Sequence, residues 1–203
     1  MASPVPPAGF ASSRIAQAIA PKGRLWRRLY NPSYKDPLGA SFGSSRFSDP
    51  RKPRPTDAFK VIYVSRTIET CFLEKELRDK LNGSLGDFPL VESEILSLQV
   101  ATFRVKEPLN LVDLTGANLY KMRVPPRDIR DSRHTLAQEW SLAFWSHNTK
   151  PDGLKYSSRL NGATNLAIYD RALGKLESVD VRPLSEYPRV LDKLIRKFGL
   201  ALA

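Results

Sequence analysis

Residues 59–80, FKVIYVSRTIETCFLEKELRDK, run a β-branched strand straight into a helix. That junction constrains the fold more tightly than any other stretch of the chain. Val61, Ile62 and Val64 suit a packed, pleated strand. Thr67 fits a helix N-cap and Glu69 falls in the first turn. Arg78 and Lys80 lie near the helix end, the charge order that suits a helix dipole. A strand and a helix joined this closely belong to a layered fold of sheet and helices.

The other elements extend this reading. RLWRRLY alternates as a strand, with Leu25, Arg27 and Leu29 on one face and Trp26, Arg28 and Tyr30 on the other. ESEILSLQVATFRVKEP and LNLVDLT read as extended. DSRHTLAQEWSLAFWSH has helical spacing through Leu136, Trp140, Ala143 and Phe144. GLKYSS and TNLAIYD are short strands turned at Asn161-Gly162. KLESVDVRPL reads as the final strand, followed by an amphipathic helix through Val190, Leu191, Leu194, Ile195 and Phe198. Strands and helices mix without strict alternation. The expected class is therefore α+β, a mixed, mostly antiparallel sheet with flanking helices. Residues 1–23 read as an N-terminal appendage with a short helix capped at Ser12 or Ser13. Residues 24–203 read as a single domain.

Charge is uneven. The formal net charge is +11, and residues 1–60 carry 11 Lys/Arg against 3 Asp/Glu. Such a region calls for an anionic partner: nucleic acid, a membrane surface, a phosphorylated small molecule or an acidic protein. Part of it sits in a long irregular segment, NPSYKDPLGASFGSSRFSDPRKPRP, and loops of this length in a compact domain tend to be functional or disordered. No zinc finger, basic heptad region or aromatic RNA-binding motif supports direct nucleic-acid binding. No apolar run approaches the ~18 residues of a membrane helix, and the start does not read as a secretory signal. Cys71 is the single cysteine, which excludes an internal disulfide and suits a reducing, cytoplasmic setting.

Familiar catalytic motifs are missing: there is no GxGxxG after a strand, no GxxxxGK[ST], no HExxH and no GxSxG. One cysteine and two histidines, His134 and His147, argue against a zinc site, and no metal is expected. A site must then be built from Arg, Tyr, Glu and Ser. On a helical wheel Glu74 lies between Cys71 and Leu77, about 60° from each, at the edge of an apolar stripe. Glu69 and Glu76 fall on another side, near Phe72. Glu74 is thus either a snorkelling surface residue or a carboxylate held in a partly buried pocket.

The order LWRRLY, DPLGASFGSSRFSDP, VIYVSRTIETCFLEKELRD and, much later, DGLKYSSRLNGATNLAIYD resembles the RES domain family over residues 25–182. These are toxins of bacterial toxin–antitoxin systems, usually encoded beside a helix-turn-helix antitoxin. The resemblance implies an ADP-ribosyltransferase-like fold. It also implies an enzyme that consumes NAD+ as substrate, without a cofactor, by cleaving the nicotinamide–ribose bond with water or phosphate as acceptor. An antitoxin partner is implied, any nucleic-acid contact runs through it, and self-association stays open. A protein ADP-ribosyltransferase on the same scaffold is the nearest alternative. A non-catalytic, basic nucleic-acid-binding protein is a third reading.

Carried over residue by residue, the resemblance assigns the family's first arginine to Arg27, with Arg28 a rival in the doubled arginine. Its loop arginine falls at Arg46, its strand tyrosine at Tyr63 and its helix glutamate at Glu74. Its late serine falls at Ser158, with Ser157 a rival. Ser44-Ser45 stand where glycines often precede the loop arginine. In these roles the arginines would bind the pyrophosphate through charge-assisted, bidentate hydrogen bonds. Glu74 would stabilise a cationic ribose. Tyr63 would stack on a ring or donate a hydrogen bond, and Ser158 would bond the ribose or the amide.

Overall fold

A computed structural model describes residues 5–78, 88–130 and 133–203. The strands are β1 Gln17–Ala20, β2 Leu25–Tyr30, β3 Val61–Ser65, β4 Phe88–Leu90, β5 Gln99–Val105, β6 Leu109–Asp113, β7 Gly153–Ser157, β8 Thr164–Tyr169, β9 Leu176–Pro183 and β10 Leu200–Leu202. The α-helices are α1 Ile68–Phe72, α2 Glu92–Ser97, α3 Asn118–Lys121, α4 Pro126–Arg130, α5 Thr135–Trp145 and α6 Pro188–Phe198. Eight strands form one sheet in the order β1-β6-β7-β8-β3-β2-β5-β9, and β4 pairs with β10 apart from it. Among the described strands of the large sheet only β6 and β7 run parallel. The architecture is the expected α+β class, mixed and mostly antiparallel.

Alternate residues of the central strands enter different cores, so both sheet faces are buried. Val61 of β3 and Ala167 and Tyr169 of β8 pack with Phe10, Trp140 and Phe144. Ile62, Val64, Leu166 and Ile168 pack on the other side with Trp26 and Phe103. A third core forms where α1 meets α6, through Phe72, Leu77, Leu191 and Leu194. The continuous apolar runs of β3 and β8 are what strands buried on two faces require.

The sheet is split where it matters. β2 pairs with β5 along its whole length, from Leu25 opposite Arg104 to Tyr30 opposite Gln99. With β3 it pairs only at Arg27 opposite Ser65. Beyond that point β3 is met instead by Ser41, which bridges to Val61. The long segment between β2 and β3 therefore passes beside a break in the ladder.

The structure departs from the sequence reading in three places. Residues from Phe10 onward are integral to the domain: Phe10 and Ile15 are buried in its core, and β1 replaces the expected helix by pairing with β6. Strand pairing outweighs the helix preference of the alanine-rich run. The segment from Glu92 to Ser97 is helix rather than strand, with Glu92 and Glu94 in its first turn and Ile95 buried beneath it. KLESVDVRPL is a strand but not the last one, because β10 follows α6 after a left-handed Gly199 at φ 56°.

Candidate active site

A cleft of about 590 Å³ opens at the split between β2 and β3. It is lined by Arg28 and Leu29 of β2, by Ser41 and Gly43 to Arg46 of the loop, and by Val61, Tyr63 and Ser65 of β3. Cys71, Glu74, Lys75, Arg78, His134, Tyr156 and Asn165 complete the wall. Among the described residues Glu74 is the one carboxylate in that lining, set against Arg28, Arg46, Lys75 and Arg78. Such a cleft favours an anionic ligand, with one fixed negative charge inside it.

Arg46 is held by a tightly anchored loop. Its neighbour Phe47 is fully buried against Tyr63 and Tyr156, with ring centroids 6.4 and 5.1 Å away. The Phe47 N–H donates to the Tyr63 hydroxyl at 2.9 Å, and that hydroxyl also meets the Ser45 hydroxyl at 2.9 Å. From the other side, one face of α5 grips the loop carbonyls. Gln138 Nε2 donates to the Ser45 carbonyl at 2.9 Å and Ser141 Oγ to the Phe47 carbonyl at 2.8 Å. His134 Nδ1 lies 3.2 Å from the Ser44 carbonyl. Removing the Phe47 ring would cost about 3–5 kcal/mol and free the loop.

Arg46 itself is only 5% exposed, yet its Nε and Nη2 have no hydrogen-bond partner among the described residues. Burial lowers its pKa from the ordinary arginine value and nearby Arg159 adds to this, while Tyr156, Glu74 and Tyr63 act in the opposite sense. A guanidinium keeps its charge in proteins. Arg46 therefore lines the cleft as a desolvated cation with two unsatisfied guanidinium nitrogens, and such a group gains from an incoming anion.

Glu74 sits in a π-helical turn. After α1, capped by the Thr67 hydroxyl accepting the Thr70 N–H at 3.1 Å, residues Leu73–Leu77 widen to π spacing, and Arg78 N–H reaches back to the Leu73 carbonyl at 2.9 Å. Such turns recur at functional sites because they re-aim side chains. Glu74 Oε1 accepts a hydrogen bond from Asn165 Nδ2 at 3.1 Å, and its Oε2 lies 4.0 Å from Arg78 Nη1. Glu69 and Glu76 do not line the cleft: Glu69 pairs with Lys197 at 2.6 Å and Lys193 at 3.7 Å on α6, and Glu76 with Lys75 at 3.4 Å.

The structure brings Arg46, Tyr63 and Glu74 to one cavity and leaves other candidates outside it. Arg27 points elsewhere, donating to the Arg66 carbonyl at 2.8 Å. Arg28 lines the cleft and pins the loop by donating to the Pro37 and Gly39 carbonyls at 2.8 and 3.1 Å. Ser158 is a turn residue whose hydroxyl accepts the Leu160 N–H at 3.1 Å, and neither it nor Ser157 lines the cleft. Tyr63 contributes its ring to the lining while its hydroxyl serves the loop. Burial raises the pKa of its phenol, and that of Tyr156 well above the ordinary value, so both stay protonated at neutral pH. Sequence reasoning missed Tyr156, Asn165 and Arg78, which reach the cleft only through strand register and the π turn. Among the described residues no His, Cys, Asp and Glu cluster could hold a metal.

Comparison with known proteins places these features in a family. A family model described as RES domain matches residues 23–190. A protein described as probable toxin y4kH, from Sinorhizobium fredii, is 36% identical over 126 residues, which cover 62% of this chain and 99% of that protein. A chain in the crystal structure of the M. tuberculosis MbcT-MbcA toxin-antitoxin complex shares the fold. It superposes with a TM-score of 0.61 at 18% identity, over 87% of this chain and 91% of its own.

Proposed function

Because the chain belongs to the RES domain family, we propose that it is the toxin of a toxin–antitoxin pair and that it destroys NAD+. One observation carries this reading: a buried, unpartnered Arg46 fork in the same cleft as a single carboxylate among the described residues, Glu74, itself held by a neutral amide. NAD+ offers the matching pair of features, a pyrophosphate anion and a sugar that turns cationic as nicotinamide leaves. The ADP-ribosyltransferase-like fold and the toxin descriptions of its relatives support the same reading.

In this mechanism Arg46 binds the pyrophosphate, with Arg28 and Arg78 adding positive charge along the cleft. The bond between ribose C1′ and the nicotinamide nitrogen breaks, and its electron pair leaves with nicotinamide. Glu74 stabilises the oxocarbenium-like ribose that remains. An oxygen of water or phosphate then adds to C1′; water sheds a proton as it does so. The products are nicotinamide and ADP-ribose or its phosphate. The cationic cleft also suits the antitoxin, expected to be a helix-turn-helix protein, which would cover it with a carboxylate or a C-terminal segment. The setting is the cytoplasm, and no helix among the described residues is long and apolar enough to cross a membrane.

The test is to incubate purified protein with NAD+, with and without phosphate, and identify the products by mass spectrometry. Free nicotinamide with ADP-ribose or its phosphate is the expected result. ADP-ribose attached to protein would move the activity to the transferase class. Intact NAD+ alongside tight, salt-dependent nucleic-acid binding would overturn it.

A further inference from the structure

Three strands meet in one row beneath Glu74. Ser65 of β3 lies opposite Asn165 of β8, and Asn165 lies opposite Tyr156 of β7. Directly paired residues of antiparallel strands project to the same face, so the three side chains stand side by side on the cleft wall. Asn165 is 1% exposed, followed in its strand by the apolar run LAIY. A buried amide in such a place costs free energy unless its donors and acceptor are used.

They are used in one sense only. The Ser65 hydroxyl donates to Asn165 Oδ1 at 2.5 Å. That bond turns the amide nitrogen toward Glu74 Oε1, 3.1 Å away. Tyr156 flanks the same amide from β7 and lines the cleft beside it. If the amide turned over, its oxygen would face an ionised Glu74 and its nitrogen would face Ser65. Glu74, which when ionised can only accept, therefore sets the amide orientation, and Ser65 completes it by donating to the oxygen.

We infer that Asn165, hydrogen-bonded by Ser65, is a positioning residue that fixes the Glu74 carboxylate in the cleft. This assignment rests on the proposed NAD+ chemistry for its consequence, but its geometry can be tested without it.

The decisive variants are Asn165→Asp, Asn165→Leu and Ser65→Ala. The titratable groups that line the cleft with Glu74 are Arg28 from β2, Arg46 from the loop, Tyr63 from β3, Cys71 from α1, Tyr156 from β7, His134 from the start of α5, and Lys75 and Arg78 beside it. None is altered, so any change in Glu74 titration reports the amide. The Glu74 carboxyl carbon is followed by NMR across pH in each folded protein. Asn165→Asp should raise the Glu74 midpoint by at least about one unit over wild type, because two adjacent carboxylates share a proton before both ionise. Asn165→Leu should raise it less, by loss of the donor.

In turnover, Asn165→Leu should lose about 10²-fold in kcat with little change in KM for NAD+, the scale of a misplaced catalytic group. Asn165→Asp should recover activity as pH falls, since the introduced carboxyl, once protonated, donates to Glu74 as the amide does. Ser65→Ala keeps the packing and leaves the buried amide oxygen without its donor, and should lose about 10-fold, less than full removal of the amide. An unchanged Glu74 midpoint in folded Asn165→Asp would overturn the inference. So would a loss in Asn165→Asp that is the same at every pH. A wild-type protein that leaves NAD+ intact would overturn the proposed chemistry instead, and the titration would still decide the role of Asn165.

Discussion

The Phe47 backbone N–H donates to the Tyr63 hydroxyl at 2.9 Å, so the strand leading into the Glu74 helix also holds the loop that carries Arg46. Arg46 and Glu74 are thereby set by one rigid element. Tyr63→Phe keeps the ring and its packing on Phe47 but leaves the Phe47 N–H without its partner, while the Ser45 hydroxyl keeps that of Ser48. The expected cost is about 1–2 kcal/mol of stability. NAD+ affinity should fall roughly 5–10-fold with kcat within a factor of about three, in line with a loop that binds rather than reacts. Hydrogen exchange at residues 44–48 should speed up. Unchanged exchange with a large fall in kcat would place the hydroxyl in the chemistry instead.

Arg46 should trade stability for binding. Its buried, unpaired fork destabilises the empty protein, because desolvation is not offset until an anion arrives. Arg46→Met should raise unfolding free energy by ~1–3 kcal/mol while abolishing measurable NAD+ binding. Arg46→Lys keeps the charge and loses the fork, so affinity should still fall at least about 10-fold. Arg51 is the useful contrast. It carries equal charge nearby but is tied to Asp49 at 2.6 Å and Asp57 at 3.0 Å. Arg51→Ala should lower the melting temperature and leave NAD+ affinity within a factor of about three, since its charge is already paired. Calorimetry and binding on the same samples separate the two. A destabilised Arg46→Met would contradict the account.

How far the sequence led depends on whether a feature is local. The β3–α1 junction was legible because branched residues, the Thr67 cap and the first-turn Glu69 all act within one segment. Glu74 stood out for the same reason, although the π turn that aims it leaves no local signature. β1 was not legible, since an alanine-rich run becomes a strand only by pairing with the distant β6, where Gln17 meets Val112. Arg27 and Arg28 are neighbours in sequence and opposite in direction, and only the passage of the loop across β2 decides which one lines the cleft. Asn165 is the extreme case: its significance lies wholly in its register with Ser65 and Tyr156.

Glu69 supplies a pH prediction that is independent of catalysis. The hydrogen bond from Lys197 holds its carboxyl below the usual range, with Lys193 adding to the effect. A depressed folded pKa contributes stability that is fully present above the unfolded value, about 4.3, and is lost as pH falls through the folded one. Wild type should therefore exceed Glu69→Gln in melting temperature at neutral pH, and the gap should close from about pH 5 downward. The gap is small, since partly exposed ion pairs contribute about 1 kcal/mol or less. Thermal unfolding of both proteins across pH checks it. A gap that stays constant into acid would mean that α6 is not held to α1 by this charge.

Glu74→Gln tests the centre of the proposal. The variant keeps size and hydrogen-bonding reach and removes the charge. The Asn165 amide can still donate to the glutamine oxygen, so the side chain should keep its place and the protein its fold. NAD+ binding should change little, because the pyrophosphate is held by the arginines. Turnover should fall at least ~10²-fold, about 2.7 kcal/mol of transition-state stabilisation, since only the transition state carries the positive charge that Glu74 meets. Glu69→Gln and Glu76→Gln provide the control, as both residues lie outside the cleft in ion pairs with lysines. They should turn over NAD+ within a factor of about two of wild type, as surface substitutions away from a site do. In cells the same ranking should appear as relief of growth arrest by Glu74→Gln alone. A folded Glu74→Gln protein with near-normal turnover would remove Glu74 from the chemistry. Among the described residues the cleft lining holds no second carboxylate to take its place, so the oxocarbenium mechanism would fall with it.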